Sequence, residues 1–239
     1  MNPPLNDIWV YLSASPLLGL TITLLAYQAA FWLYRRSGMN PLANPVLIAV
    51  VILVLFLTLT ATKYETYFAG AQFVHFLLGP ATVALAVPLY QHLRRVRSML
   101  WPVLAGLLAG SLTAALSAVA IAALFGASEP VQRSLAPKSV TTPIAMGIAE
   151  RIGGIPSLTA VLVIVTGILG AVGARHVFDA MKLRDPAIRG FAIGVASHGI
   201  GTARAFQVSE QAGAFAALAM GLNGALTALL LPLVMRWMH

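Results

Sequence analysis

The sequence predicts an all-helical integral membrane protein of about seven or eight transmembrane segments, built as two repeats of inverted topology with discontinuous helices near the midplane. Three observations predict it: a composition that cannot cover a water-facing surface, a succession of apolar stretches of spanning length, and a correspondence between the two halves. Of 239 residues, 59% are hydrophobic and only 9% are charged; mean hydropathy is +0.86. A soluble domain carries about 25% charged residues. A bilayer crossing needs about 20 apolar residues, and with no water to satisfy the backbone only helices or a closed barrel can span. The strand-like alternation of a barrel is absent.

The apolar stretches run from Trp9 to Tyr34, Pro45 to Ala61, Phe73 to Leu93, Met99 to Phe125, Ser157 to Phe178, Gly190 to Ala205 and Ala212 to Trp237. A more polar stretch, Gln132 to Glu150, separates the fourth from the fifth. Met1 to Asp7 has no basic region of the kind that opens a cleavable signal peptide, so the first stretch is expected to remain as an anchor. Trp9, Trp101 and Trp237 suit headgroup anchoring, and His75 and His92 suit interfacial positions.

The formal net charge is +8, but its Lys and Arg residues are strung between apolar stretches instead of forming one basic face. Positive-inside topology accounts for that pattern, and no nucleic-acid partner is expected. The chain has no cysteine, which excludes disulfides, a CxxC redox pair and thiolate metal sites. No cofactor or metal is expected.

The halves correspond. Arg36-Ser37-Gly38-Met39-Asn40-Pro41 aligns without gaps on Arg151-Ile152-Gly153-Gly154-Ile155-Pro156. Gly79-Pro80-Ala81-Thr82 resembles Gly199-Ile200-Gly201-Thr202, and the segment from Leu107 to Ala114 resembles that from Gly221 to Ala228. A single polytopic domain, residues 1–239, is therefore expected, with one repeat over about 9–125 and the other over about 131–238. Abundant Leu, Ala and Gly make chance matches cheap. Charge helps to decide: basic residues follow the first and third stretches (Arg35, Arg36, Arg94, Arg95, Arg97) but gather after the fifth at Lys182, Arg184 and Arg189. With the polar stretch counted as a segment, corresponding loops carry opposite bias, as inverted repeats of secondary transporters do. Each half then needs an odd number of crossings, so one segment in each should not span.

Three polar constellations carry the candidate chemistry. In Pro137-Lys138-Ser139-Val140-Thr141-Thr142-Pro143 two prolines interrupt helical hydrogen bonding, and the hydroxyls of Ser139, Thr141 and Thr142 can satisfy freed backbone groups or hold a ligand. At membrane depth such a break lines a cavity, and Lys138 makes that cavity positive; outside the membrane it is only a loop. In Ser197-His198-Gly199-Ile200-Gly201-Thr202-Ala203-Arg204, Gly199 and Gly201 permit an unwound backbone. Ser197, His198, Thr202 and Arg204 supply donors suited to a carboxylate or phosphate. An intramembrane arginine costs about 3 kcal/mol on insertion scales and so points to function. The competing reading takes Gly190, Gly194, Ser197 and Gly201 as a close-packing seam on a continuous helix. The third constellation, around Gly79, Pro80, Thr82 and Pro88, is either a second broken helix, with half-helix N-termini that seat an anion, or a kinked helix and nothing more. Glu150, Glu210 and Asn223 are weaker candidates that equally suit caps or ion pairs. An enzyme is not expected: adjacent Ser197 and His198 do not face each other on a helix, and GxSxG and HExxH are absent.

The segments FLLGPATVALAVPLY, SLAPKSVTTPIAM, GVASHGIGTARAF and LAMGLNGALTALLLP together resemble the LrgB/CidB family, in order and over nearly the whole chain from about Pro41. The resemblance implies a bacterial cytoplasmic-membrane protein paired with a small LrgA/CidA-type membrane partner, and a holin-like or antiholin-like modulator of murein hydrolase activity and autolysis. The family is also similar to the plastid glycolate/glycerate translocator, with bacterial relatives linked to pyruvate transport. That similarity implies an alternating-access transporter of small monocarboxylates of the glycolate, glycerate, pyruvate or lactate class. The positions that match are Gly79, Pro80 and Thr82; Pro137, Lys138, Ser139, Thr141, Thr142 and Pro143; and Ser197, His198, Gly199, Gly201, Thr202 and Arg204. The substrate-binding expectation rests on them. Partners expected are the small carboxylate, the bilayer, the LrgA/CidA-type protein and a second copy in a homodimer.

Overall fold

The computed structural model describes residues 16–40 and 43–237, and all regular structure among them is helical. In chain order the helices are α1 (Pro16–Arg36), α2 (Pro45–Leu59), α3 (Tyr64–Phe76), α4 (Leu78–Ala84), α5 (Ala86–Gln91), α6 (Leu93–Ser98), α7 (Leu100–Leu124), α8 (Glu129–Leu135), α9 (Thr142–Arg151), α10 (Pro156–Ala180), α11 (Pro186–Val208) and α12 (Glu210–Trp237). Trp9 lies outside the described residues, and Trp101 is exposed.

Proline starts many of these helices instead of breaking them. Pro45, Pro130, Pro143, Pro156 and Pro186 stand at the first or second helical position, where the missing N–H had no helical partner anyway. Asn44 caps α2, its Oδ1 accepting from the N–H groups of Val46 at 2.9 Å and Leu47 at 3.2 Å. Asp185 caps α11 by accepting from the Ala187 N–H at 2.8 Å. Helices stop where the chain turns left-handed, at Gly38 (φ 66°) after α1 and Gly153 (φ 78°) after α9.

Among the described residues, four helices are long and apolar enough to cross a membrane: Leu17–Arg36, Leu100–Leu124, Pro156–Ala180 and Glu210–Val234. The α2 helix, Pro45–Leu59, is apolar but shorter. The apolar stretch from Phe73 to Leu93 is divided among the end of α3, the short helices α4 and α5, and the first residue of α6.

The helices form two compact units, residues 1–84 and 85–239. In the first, α1 packs on α2 and α3. Ala26, Ala30 and Ala49 form its buried centre. Gly19 lets the α3 backbone approach α1 closely: a Cβ there would meet the Tyr67 carbonyl at 2.3 Å. The Thr23 and Tyr67 hydroxyls are 2.8 Å apart.

The second unit is organised around α10 and α12, and against them two segments reverse direction. In α11 the backbone leaves helical geometry at His198 (φ 42°, ψ −133°). The limbs on either side fold back on each other: Ile193 and Ala205 share one buried cluster, and a Cβ at Gly201 would lie 2.9 Å from the Ile193 carbonyl. In a straight helix those eight residues would be about 12 Å apart. The other reversal, the first in chain order, joins α8 to α9. Arg133 Nη1 donates to the Ile152 carbonyl at 3.0 Å and the Ile155 N–H to Ser134 Oγ at 2.7 Å, closing the base opposite the non-helical turn at 136–141. Apolar burial of Ala136, Val140, Ala145, Ile148 and Ile152 against Val163 of α10 holds that turn in place.

Candidate functional site

The two reversals approach from opposite ends of α10 and α12. Ser134, at the base of the first, receives a 3.1 Å hydrogen bond from Thr159 Oγ1, near the start of α10. Arg189, at the base of the second, pairs with Asp179 near the end of α10 at 2.5 Å. On α12, Ala212 packs against Gly190, whereas Ala228 and Leu231 pack on the core of the first reversal. The tips meet between these limits.

Asn223 joins them. Its side-chain amide donates to the Ser139 carbonyl at 3.2 Å and to the Val195 carbonyl at 3.1 Å, while its Oδ1 accepts from Thr227 Oγ1 at 3.4 Å. Thr227 Oγ1 lies 3.3 Å from Ser111 Oγ on α7. Lys138 Nζ donates to Ser139 Oγ at 3.4 Å. A polar chain therefore runs from the lysine through the first tip to α12 and across to α7. Ser139, Asn223 and Thr227 are buried, and a polar group removed from water needs such partners.

At the second tip, His198 Nε2 is 2.9 Å from the Val163 carbonyl, and Thr202 Oγ1 donates to the His198 carbonyl at 2.8 Å. Ser197 is 1% exposed, and its Oγ has no hydrogen-bond partner among the described residues. Room for both side chains comes from α10. A Cβ on Gly170 would stand 1.7 Å from Ser197 Oγ, and one on Gly167 would stand 2.7 Å from His198 Cε1.

The structure thus brings together Lys138, Ser139, Ser197, His198 and Thr202, with Gly199 and Gly201 on the limb leaving the second tip. Thr141 stands at the N-cap position of α9 without a side-chain capping hydrogen bond, and Thr142 opens the helix. Gly79 and Thr82 fall on α4 in the first unit. Arg204 is placed elsewhere. Six residues past His198 on the returning limb, it donates to Gln207 Oε1 at 3.0 Å and lines a cavity with Arg175, Arg184 and Arg189. Gly190 and Gly194 do serve close packing: a Cβ at either would strike the Ala212 or Ala216 carbonyl at 2.1 or 2.3 Å.

Asn223 was legible only as a polar residue within an apolar run. Gly167 and Gly170 carried no distinct signal, since glycines are common in this chain. Glu150 and Glu210 are exposed. Among the described residues there is no grouping of three His, Asp or Glu that could hold a metal.

The LrgB-like family model matches residues 23–237. The chain is 34% identical over 220 residues to the uncharacterized protein YxaC of Bacillus subtilis (strain 168), covering 92% of this chain and 95% of that one. It is 31% identical over 222 residues to antiholin-like protein LrgB of Bacillus cereus (strain B4264) and to that of Bacillus anthracis (strain CDC 684 / NRRL 3495), covering 92% of this chain and 96% of each relative. No solved structure matches. With a matched region that takes in both reversals and every helix from α2 to α12, this chain belongs to the LrgB-like family.

Proposed function

We propose that this chain is an antiholin-like protein of the bacterial cytoplasmic membrane that modulates murein hydrolase activity and autolysis together with an LrgA/CidA-type partner. The observation that carries this reading is the 31% identity, over 96% of their length, to relatives named antiholin-like protein LrgB. Four helices of spanning length and composition fit a multi-pass protein. The test is expression, with and without an LrgA-type protein, in a bacterium lacking both. Autolysis should slow, and murein hydrolase activity in gels should fall, only when both are present. Unchanged lysis would overturn the reading.

A second reading, alternating-access transport of a small monocarboxylate such as glycolate, glycerate, pyruvate or lactate, is favoured by the meeting of the two tips. Opposed reversals with unwound backbone and a cation where they meet are the arrangement in which inverted-repeat transporters hold an anion near the midplane. Here Lys138 compensates the carboxylate, while Ser139, Ser197 and Thr202 and the N–H groups of Gly199 and Gly201 orient it. On this reading α8–α9 and α11 each enter and leave the membrane on one side, while α10 and α12 cross it. Gly79 and Thr82 mark the corresponding break of the first repeat. Proteoliposomes containing the purified chain should take up labelled glycolate or pyruvate. Absence of flux across a panel of short carboxylates, with or without a proton or sodium gradient, would remove this reading and leave the first.

A further inference from the structure

The reversal of α11 brings Arg204, from its returning limb, into the same cavity wall as residues near its start. The cavity, of about 420 Å³, is lined by Arg175, Arg184, Arg189 and Arg204 with apolar residues such as Ile193 and Val208. Asp179 is shared by two of these arginines: it pairs with Arg189 at 2.5 Å and with Arg175 Nε at 3.7 Å. Asp185 is occupied by Arg95 at 2.8 Å and by the Ala187 N–H. Arg184 makes no ion pair among the described residues, so positive charge exceeds negative at this wall. Arg189 is fixed in place, its Nε donating to the Leu183 carbonyl and its guanidinium 5.7 Å from the Phe178 ring.

Position selects the ligand. The α10 helix has 25 residues and is about 37 Å long, longer than the roughly 30 Å hydrocarbon core, so its end reaches headgroup level. The basic loop that follows, with Lys182 and Arg184, marks the cytoplasmic side. An apolar cavity with an arginine rim at that depth fits an amphiphile that has an anionic head and an acyl tail. A free inorganic anion would use the rim and leave the apolar wall unused.

We propose that this cavity binds an anionic glycerophospholipid, its phosphate held by Arg184 and Arg204 with Arg175 and Arg189 beside them, and an acyl chain against Ile193 and Val208. Basic pockets between membrane helices hold such headgroups. This inference is independent of both functional readings above.

The test uses the full chain in a mild detergent, titrated with phosphatidylglycerol, phosphatidylcholine or inorganic phosphate and followed by thermal unfolding and by native mass spectrometry. Phosphatidylglycerol should raise the unfolding temperature and remain bound. Its affinity should fall about fivefold in Arg184→Gln and further in Arg184→Gln/Arg204→Gln, but not in Arg97→Gln, which alters an exposed arginine outside the cavity. The proposal is overturned by equal retention of phosphatidylcholine, by equal stabilisation with inorganic phosphate, or by unchanged affinity in Arg184→Gln. Should the double variant not fold, the single exposed-loop variant decides.

Discussion

Asn223 holds the carbonyl of Ser139 at 3.2 Å across a sequence separation of 84 residues, and with its other amide hydrogen holds Val195 at 3.1 Å. One side chain thus links the tips of both reversals to α12. Asn223→Leu would preserve size but strand two buried carbonyls. Each buried hydrogen bond lost costs about 1 to 2 kcal/mol, with bonds between membrane helices at the lower end. The expected loss is about 1 to 3 kcal/mol, read as a lower unfolding temperature in detergent. Unchanged stability would mean that the tips are held by apolar packing alone.

Gly170 and Ser197 form a second dependent pair. A methyl group at 170 would sit 1.7 Å from Ser197 Oγ, so Gly170→Ala must displace the α11 tip or separate α10 from it. Overpacking of this kind costs about 1 to 3 kcal/mol. Removing the obstructing side chain with Ser197→Gly should recover part of the loss, and a thermodynamic cycle over the four proteins should show coupling above about 0.5 kcal/mol. Additive effects would place the two residues out of contact.

Much of this fold is legible in the sequence. Charge scarcity and long apolar stretches led to a membrane-spanning helical chain, and four stretches became helices of spanning length. The Pro137 to Pro143 interruption is non-helical where it was expected, because Pro143 belongs to the start of α9 and cannot extend a helix before it. The glycines at 199 and 201 pointed to a backbone break nearby, but the residue in left-handed geometry is His198. Propensity favours glycine for such a φ, whereas tertiary contacts, the 2.9 Å bond to Val163 among them, place the turn one residue earlier. Arg204 and Lys138 looked like partners because both are cations near breaks. The fold-back of α11 carries Arg204 away from the tip, and no linear periodicity reveals a reversal inside one helical segment.

His198 tests that geometry directly. Both His198→Ala and His198→Gly lose the bond to the Val163 carbonyl, but only alanine keeps a Cβ at φ 42°. A non-glycine residue in such a region carries about 1 to 3 kcal/mol of strain. The glycine variant should therefore unfold at a higher temperature than the alanine variant, by roughly 1 kcal/mol or more in stability. Equal stabilities, or a more stable alanine protein, would indicate that α11 runs helically through this position.

Lys138 separates the two functional readings. Its ammonium is half-buried beside Ser139 in the first tip, and no carboxylate pairs with it among the described residues. An uncompensated cation in a low-dielectric setting is costly, and a bound carboxylate would offset that cost. Lys138→Met keeps the length and apolar stem of the side chain while removing the charge. If the protein moves carboxylates, the variant should reach the membrane in normal amount and lose uptake by about tenfold or more, the scale of one charge-assisted hydrogen bond. Its control of lysis, if that depends on association with an LrgA-type partner and not on the ligand, should persist. Loss of lysis control with carboxylate flux intact would reverse the assignment and make the first tip part of the partner-dependent activity.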